Sequence, residues 1–186
     1  VLEDYFAKSK TNLIDGQRAE VNLKALDWMK NIPHYLNRGF VITIDYGHLA
    51  EDLYSEQRYR GTLMCYYEHT TSENPYERVG SQDITSHVNF SSLMEAGNRC
   101  GLNTTGFTRQ SKFLIALGIL DEMNKVQGDI GKLLTIKNLF LPGGMGDVFK
   151  VLIQHKGIDN PELIGLRSMS EPELVREIEG LENEET

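Results

Sequence analysis

The sequence predicts an α/β protein built on a layered sheet. Three observations carry the prediction: a β-branched run bounded by Gly39 and Gly47, helical periodicity on either side of it, and a second apolar run at Val148-Phe149-Lys150-Val151-Leu152-Ile153. Helices that alternate with strands bury their apolar stripes on the faces of a sheet.

Taken in order, residues Ala19 to Leu36 carry Val21, Leu23, Ala25, Leu26, Trp28, Met29, Ile32 and Leu36 at the spacing of an amphipathic helix, which Pro33 ends or bends. Gly39–Asp45 follows as a strand, and its unbroken apolar character predicts burial on both faces. Tyr46 to Ser86 is polar and aromatic, punctuated by Gly61, Asn74-Pro75 and Gly80, with little periodicity outside Gly61–Tyr67. It reads as a long excursion, and a loop of that length within a compact domain is usually functional. A helix fits Phe90 to Cys100, with Asn89 as its N-cap and Gly101 at its left-handed stop. A strand is predicted at Thr104–Arg109, mainly helical structure from Ser111 to about Leu141 with breaks near Gly118 and Pro142, and a last strand at Asp147–His155. Ser170 followed by Glu171, Pro172 and Glu173 resembles a capping box that opens a short acidic helix. Three strands are few for a doubly wound domain and leave a hydrophobic edge exposed, so part of the sheet is expected to lie on the N-terminal side.

Length and composition set outer bounds. With 186 residues and 40% hydrophobic content, one globular domain is the default. The formal charge is −8, but residues 171–186 hold seven glutamates against one arginine, so six of those charges sit in the tail. The nearly neutral body offers no basic footprint for nucleic acid. No apolar run approaches the ~20 residues that span a bilayer, and the first residues lack a basic start followed by an apolar stretch. Neither nucleic acid nor membrane is therefore expected as a partner. Cys65 and Cys100 have no CxxC spacing, which suits a reducing compartment. The first residue is Val1, compatible with a trimmed form, an engineered start or a piece of a longer protein; the motifs favour the last.

Two segments concentrate polar chemistry. Asp45-Tyr46-Gly47 lies where the first strand leaves the sheet, the end at which open α/β sheets bind ligands; alternatively, Asp45 caps the turn that follows. Asp83-Ile84-Thr85-Ser86-His87-Val88-Asn89-Phe90 packs an acid, two hydroxyls, an imidazole and an amide ahead of a helix, whose free N–H groups favour a carboxylate or an oriented substrate. Equally, Asp83, Ser86 and Asn89 compete for one N-cap. His34, His48, His69, His87 and His155 show no metal-ligand spacing, so no metal is expected. Leu141-Pro142-Gly143-Gly144-Met145-Gly146 lacks the strand–loop–helix setting of a nucleotide loop and reads as a turn into the last strand. No GxSxG elbow occurs.

Taken together, Gly39–Gly47, Tyr59-Arg60-Gly61-Thr62-Leu63, His69, Asn74-Pro75, Gly80, Asp83–Phe90, Gln110 with Phe113-Leu114, Gly118-Ile119, and Met145-Gly146 with Phe149–Leu152 resemble the MidA-like methyltransferases in order and spacing, over about Ala19 to His155. That family includes bacterial proteins and a mitochondrial assembly factor for respiratory complex I that methylates an arginine of a partner subunit. The resemblance implies a Rossmann-like seven-stranded sheet with helices on both faces and an inserted region, S-adenosyl-L-methionine as cofactor, and a protein substrate. It also admits a homo-oligomer, in the cytoplasm or the mitochondrial matrix. On this mapping residues 1–170 are the C-terminal portion of the domain, with the insertion at about 46–86 and an acidic tail at 171–186. Gly39–Asp45 corresponds to the fifth strand, and Thr104–Arg109 and Asp147–His155 to the last two. The cofactor's own contacts would come mainly from an absent N-terminal half, leaving this piece inactive alone.

Methyl transfer is an in-line displacement that asks for positioning and exclusion of water. A guanidinium acceptor, with a pKa of about 12.5 or above, must also be oriented by acids and lose a proton. The resemblance therefore implies Asp45 and His87 as catalytic residues, His87 as a proton relay. Tyr46, Gly47, Thr62, His69, Asp83 and Thr85 line the substrate side. The rival reading is a non-catalytic assembly module that grips a protein through Tyr54, Tyr59, Tyr66, Tyr67 and Tyr76.

Overall fold

A computed structural model describes residues 1–126, 128–141 and 143–170, together with 172, 173, 175 and 176. The chain forms two compact units, Val1–Ile32 with Gly47–Cys100, and Pro33–Tyr46 with Gly101–Thr186. No helix among the described residues is long and apolar enough to cross a membrane.

The first unit contains helix α1 (Leu2–Lys8) and most of α2 (Leu23–Tyr35). Helix α2 starts four residues later than the periodicity suggests because the Asn22 side chain accepts the Ala25 N–H at 2.9 Å, fixing the N-cap there. Strand β1 (Gly39–His48) delivers its last two residues to this unit. The excursion that follows is ordered: a short helix α3 (Ala50–Leu53), a 3-10 turn at Glu56–Arg58, and strands β2 (Met64–Tyr67), β3 (Thr70–Ser72) and β4 (Asp83–Thr85) in an antiparallel sheet of order β3-β2-β4. Its hairpin escaped the sequence reading because Glu68 and His69, at φ 43° and 65°, hold the turn in the left-handed region without a glycine. Strand β5 (Val88–Asn89) pairs in parallel with Gly47-His48 and leads into helix α4 (Phe90–Arg99), which Asn89 caps by accepting the Ser92 N–H at 3.1 Å. Tyr5, Ala50, Leu53 and Tyr54 form a core here, with Phe6, Leu13, Ala19, Val21 and Leu26 packed on it.

In the second unit, residues Gly39–Tyr46 of β1 pair antiparallel with β7 (Phe149–Lys156), and β6 (Asn103–Arg109) pairs antiparallel with the other edge of β7 through a bulge at Thr104–Gly106. The strand buried on both faces is therefore β7, with Val151, Leu152 and Ile153 inaccessible, and not β1. Along one face of β1, Phe40, Ile42 and Ile44 are 38, 56 and 48% exposed, and among the described residues Gly39–Tyr46 has a strand neighbour on one edge only. The last strand begins at Phe149, two residues beyond expectation, since Asp147 and Val148 belong to a helical turn, α8 (Met145–Val148).

Helices α5 (Gln110–Ala116), α6 (Ile119–Lys125) and α7 (Ile130–Phe140) supply Ile115, Met123 and Phe140 to a core shared with Met169. The break at Gly118 (φ 87°) is as expected. A second, unexpected break follows α6, where Asp129 restarts the helix by accepting the Lys132 N–H. Pro33 does not end α2 but sits inside its last turn, and its carbonyl accepts from Lys156 Nζ at 2.6 Å. The capping box forms reciprocally between Ser170 and Glu173, at 2.7 and 3.3 Å. The expected break at Pro142 lies outside the described residues, as does most of the acidic tail.

Candidate functional site

The first unit assembles a polar site from four separated stretches of chain. Where β1 ends, Gly47 and His48 lie beside Val88 and Asn89 in parallel register, which joins the strand end to the Asp83–Phe90 block. The fit needs glycine, since a Cβ at Gly47 would meet the Val88 carbonyl at 2.2 Å. The close approach that Gly47 allows is thus that of β5. The Thr62 hydroxyl accepts the His87 N–H at 3.0 Å and donates to Glu20 Oε2 at 2.9 Å, while the Thr62 N–H donates to the same oxygen at 2.8 Å. The rings of His48 and His87 lie 5.2 Å apart, tilted by 32°. Arg58 contacts His48 Nε2 at 3.2 Å; a guanidinium can only donate, so that nitrogen accepts and the imidazole is neutral when the bond is made.

Behind this shelf lies a buried hydroxyl network. Tyr5 and Tyr54 share a hydrogen bond of 3.0 Å, Asn89 Nδ2 donates to both, and the Tyr54 hydroxyl donates to the Glu20 carbonyl at 3.1 Å. Burial first, and the Tyr5 hydroxyl second, push the Tyr54 phenol far above its usual value, so it remains a donor. A cavity of about 60 Å³, with Glu20, Asn22, Ser86, His87 and Asn89 in its wall, adjoins the network. It is large enough for water or a small polar head group.

The eight residues singled out from sequence fall into separate settings. Gly47, Thr62 and His87 come together as described. Thr85 donates its hydroxyl to the Met64 carbonyl at 3.1 Å, which secures β4 to β2. Asp83 is exposed and lies opposite Tyr66 across that sheet, while His69 is exposed at the hairpin turn. Asp45 and Tyr46 belong to the second unit, where Asp45 Oδ1 accepts the Tyr46 N–H at 2.8 Å and Asp45 lies opposite Lys150. Glu20, Arg58 and Tyr5 were missed, and Tyr54, read as a surface grip for a protein partner, is buried in the network. Glu20 is 42 residues from Thr62 in the chain, so no spacing rule could link them.

The glycine-rich segment before α8 does not fit a cofactor. A Cβ at Gly144 would meet the Asn138 carbonyl at 2.8 Å and one at Gly146 the Phe140 carbonyl at 2.4 Å, so the close approach these glycines permit is taken by the end of α7. Among the described residues no group of three or more His, Cys, Asp or Glu is arranged to hold a metal ion.

Comparison with known proteins gives this geometry a family. The family model described as "Putative S-adenosyl-L-methionine-dependent methyltransferase" matches residues 1–108. The native crystal structure of an uncharacterized protein from Burkholderia thailandensis superposes with a TM-score of 0.81 at 32% identity, over 89% of this chain and 46% of that one. A structure of a member of the same superfamily from that organism, bound to S-adenosyl-homocysteine, gives 0.80 at 32% identity, over 89% of this chain and 44% of its own. The chain spans less than half the length of these solved structures. No curated protein matches it. Because the family model covers more than half of the 186 residues, the chain belongs to this family of S-adenosyl-L-methionine-dependent methyltransferases.

Proposed function

We propose that this chain is the acceptor-side portion of a MidA-like methyltransferase whose substrate is a protein, with an arginine guanidinium as the methyl acceptor. The methyl donor, S-adenosyl-L-methionine, is held mainly by the part of the longer relatives that this chain does not span. The reading is carried by one observation: the parallel pairing of Gly47-His48 with Val88-Asn89 joins the strand end to a shelf on which Glu20, Thr62 and His87 are linked in series. A guanidinium needs an acid to orient it and a neutral base to take its proton. Glu20 is the orienting acid of this unit and the His48–His87 pair supplies the imidazole, while Asp45 and Tyr46, which the family resemblance implies as site residues, belong to the second unit. His69, Asp83 and Thr85 border the acceptor at greater remove.

The sheet offers a second line of support. The segments assigned to the fifth, sixth and seventh strands of the family sheet are β1, β6 and β7, which are hydrogen-bonded in the order β1-β7-β6, and the second edge of Gly39–Tyr46 has no strand beside it among the described residues, which leaves room for the remainder. We further propose the cytoplasm or mitochondrial matrix as the setting, and a homo-oligomer as the assembly.

The test uses the complete protein. S-adenosyl-homocysteine is expected to raise its Tm, and Asp45→Asn and His87→Asn to lower methyl transfer to a protein acceptor by about a hundredfold or more, the range of general acid–base contributions, with Tm retained. Turnover at the level of the unsubstituted enzyme in both variants would sink the site assignment. A Tm indifferent to saturating ligand would favour the rival assembly module, for which Tyr66 and Tyr76, 47 and 86% exposed, remain available while Tyr54 is buried.

A further inference from the structure

Resting on the reading of a protein acceptor, we infer that Arg18 and Arg60 form a docking clamp for an acidic stretch of that partner. Both arginines, with Glu73, line an open recess of about 550 Å³ that reaches Tyr76, and both line a second of about 370 Å³ beside Gly16 and Tyr59. The two guanidinium groups therefore stand where the recesses adjoin. The Arg18 backbone is held, its N–H donating to the Tyr59 carbonyl at 3.0 Å, and Arg60 follows directly on Tyr59, whose hydroxyl donates to the Asp15 carbonyl at 3.1 Å. Neither guanidinium has a carboxylate within 4.0 Å among the described residues.

A guanidinium fork on a fixed backbone matches a carboxylate bidentately and loses less entropy on binding than a free one. Six of the eight net negative charges lie in residues 171–186, leaving the body nearly neutral, and two arginines are too few for the many phosphate contacts of nucleic acid but enough for a short acidic segment. Exposed Tyr76, and Tyr59 at 44%, add the aromatic surface that protein partners use. Glu20 lines both the larger recess and the small cavity beside His87, so a segment seated on the clamp leads to the proposed acceptor site. Glu73 stands on the same wall as the arginines and weakens the clamp, setting an upper limit on its affinity.

Binding is read by fluorescence anisotropy with the full chain at low salt, using a fluorescein-labelled octapeptide of glutamate and glycine, a glutamine version and a lysine version. The glutamate peptide is expected to bind at least about tenfold more tightly than the other two, and less tightly as salt rises. The double variant Arg18→Gln/Arg60→Gln removes that preference with Tm retained, Arg18→Lys/Arg60→Lys restores part of it, and Glu73→Gln strengthens it. Equal affinity for glutamate and glutamine peptides overturns the proposal, as does undiminished binding in the folded double variant. A uridine oligonucleotide that displaces the peptide at lower concentration overturns it in favour of nucleic acid. No methyl donor is needed for this binding, so intact peptide binding here, together with a complete protein that transfers no methyl group to a protein acceptor, would overturn the catalytic reading and leave the clamp standing.

Discussion

Glu20 is the residue on which the first unit turns. One of its carboxylate oxygens accepts both Thr62 donors, and Thr62 in turn holds the backbone of His87. Glu20→Ala leaves two part-buried donors without an acceptor and is expected to lower stability by about 1–3 kcal/mol, read from urea unfolding, whereas Glu20→Gln keeps one acceptor and costs less. If the two variants are equally stable, the hydrogen bonds at Glu20 contribute little to the fold. Local sequence reasoning succeeds where the partner is close in the chain. Asn89 was legible as the cap of α4 because its acceptor role reaches only three residues ahead, and Ser170 with Glu173 for the same reason. Asp45 accepts the N–H of the very next residue within β1, a shorter reach than the two-residue bond of a capped turn.

Among the elements, β6, α4 and the break at Gly118 follow their sequence signals to within a residue, since β6 is a short local run and the other two are set by Gly101 and Gly118 in the left-handed region. The β3-β2-β4 sheet does not, because its hairpin turn runs through Glu68 and His69 in a conformation that asparagine and glycine adopt with least strain. Replacing the pair by Glu68→Asn/His69→Gly is expected to raise stability by about 1 kcal/mol, seen as a higher urea midpoint at unchanged slope. The same variant addresses His69 directly, since undiminished methyl transfer in the complete protein would confine that residue to the turn. Strand β1 was legible in its start, but it runs past the expected end at Asp45 to His48, because Gly47 and His48 pair with Val88 and Asn89, and its burial is a property of the layers around it.

For the whole molecule, the uncovered side of β1 separates the isolated chain from the complete protein. In the isolated chain Ile42→Lys alters an exposed position and should change stability by no more than about 0.5 kcal/mol while reducing self-association measured by light scattering. In the complete protein, if the rest of the fold covers that face, the same lysine is buried and costs ~3 kcal/mol or more. Equal effects in both would argue against the missing cover. The Tyr5–Tyr54–Asn89 network sets a different boundary. A phenol whose ionisation is raised in the folded state contributes stability that is fully present below the ordinary tyrosine value and is lost as pH rises through the raised one. The first unit is thereby exposed to alkali. Spectrophotometric titration near the phenolate band, compared with a Tyr54→Phe variant, should find the Tyr54 phenol silent until the helices melt, then ionising in step with the loss of ellipticity. Tyr54 thus provides an optical reporter for the opening of this unit, with no label added.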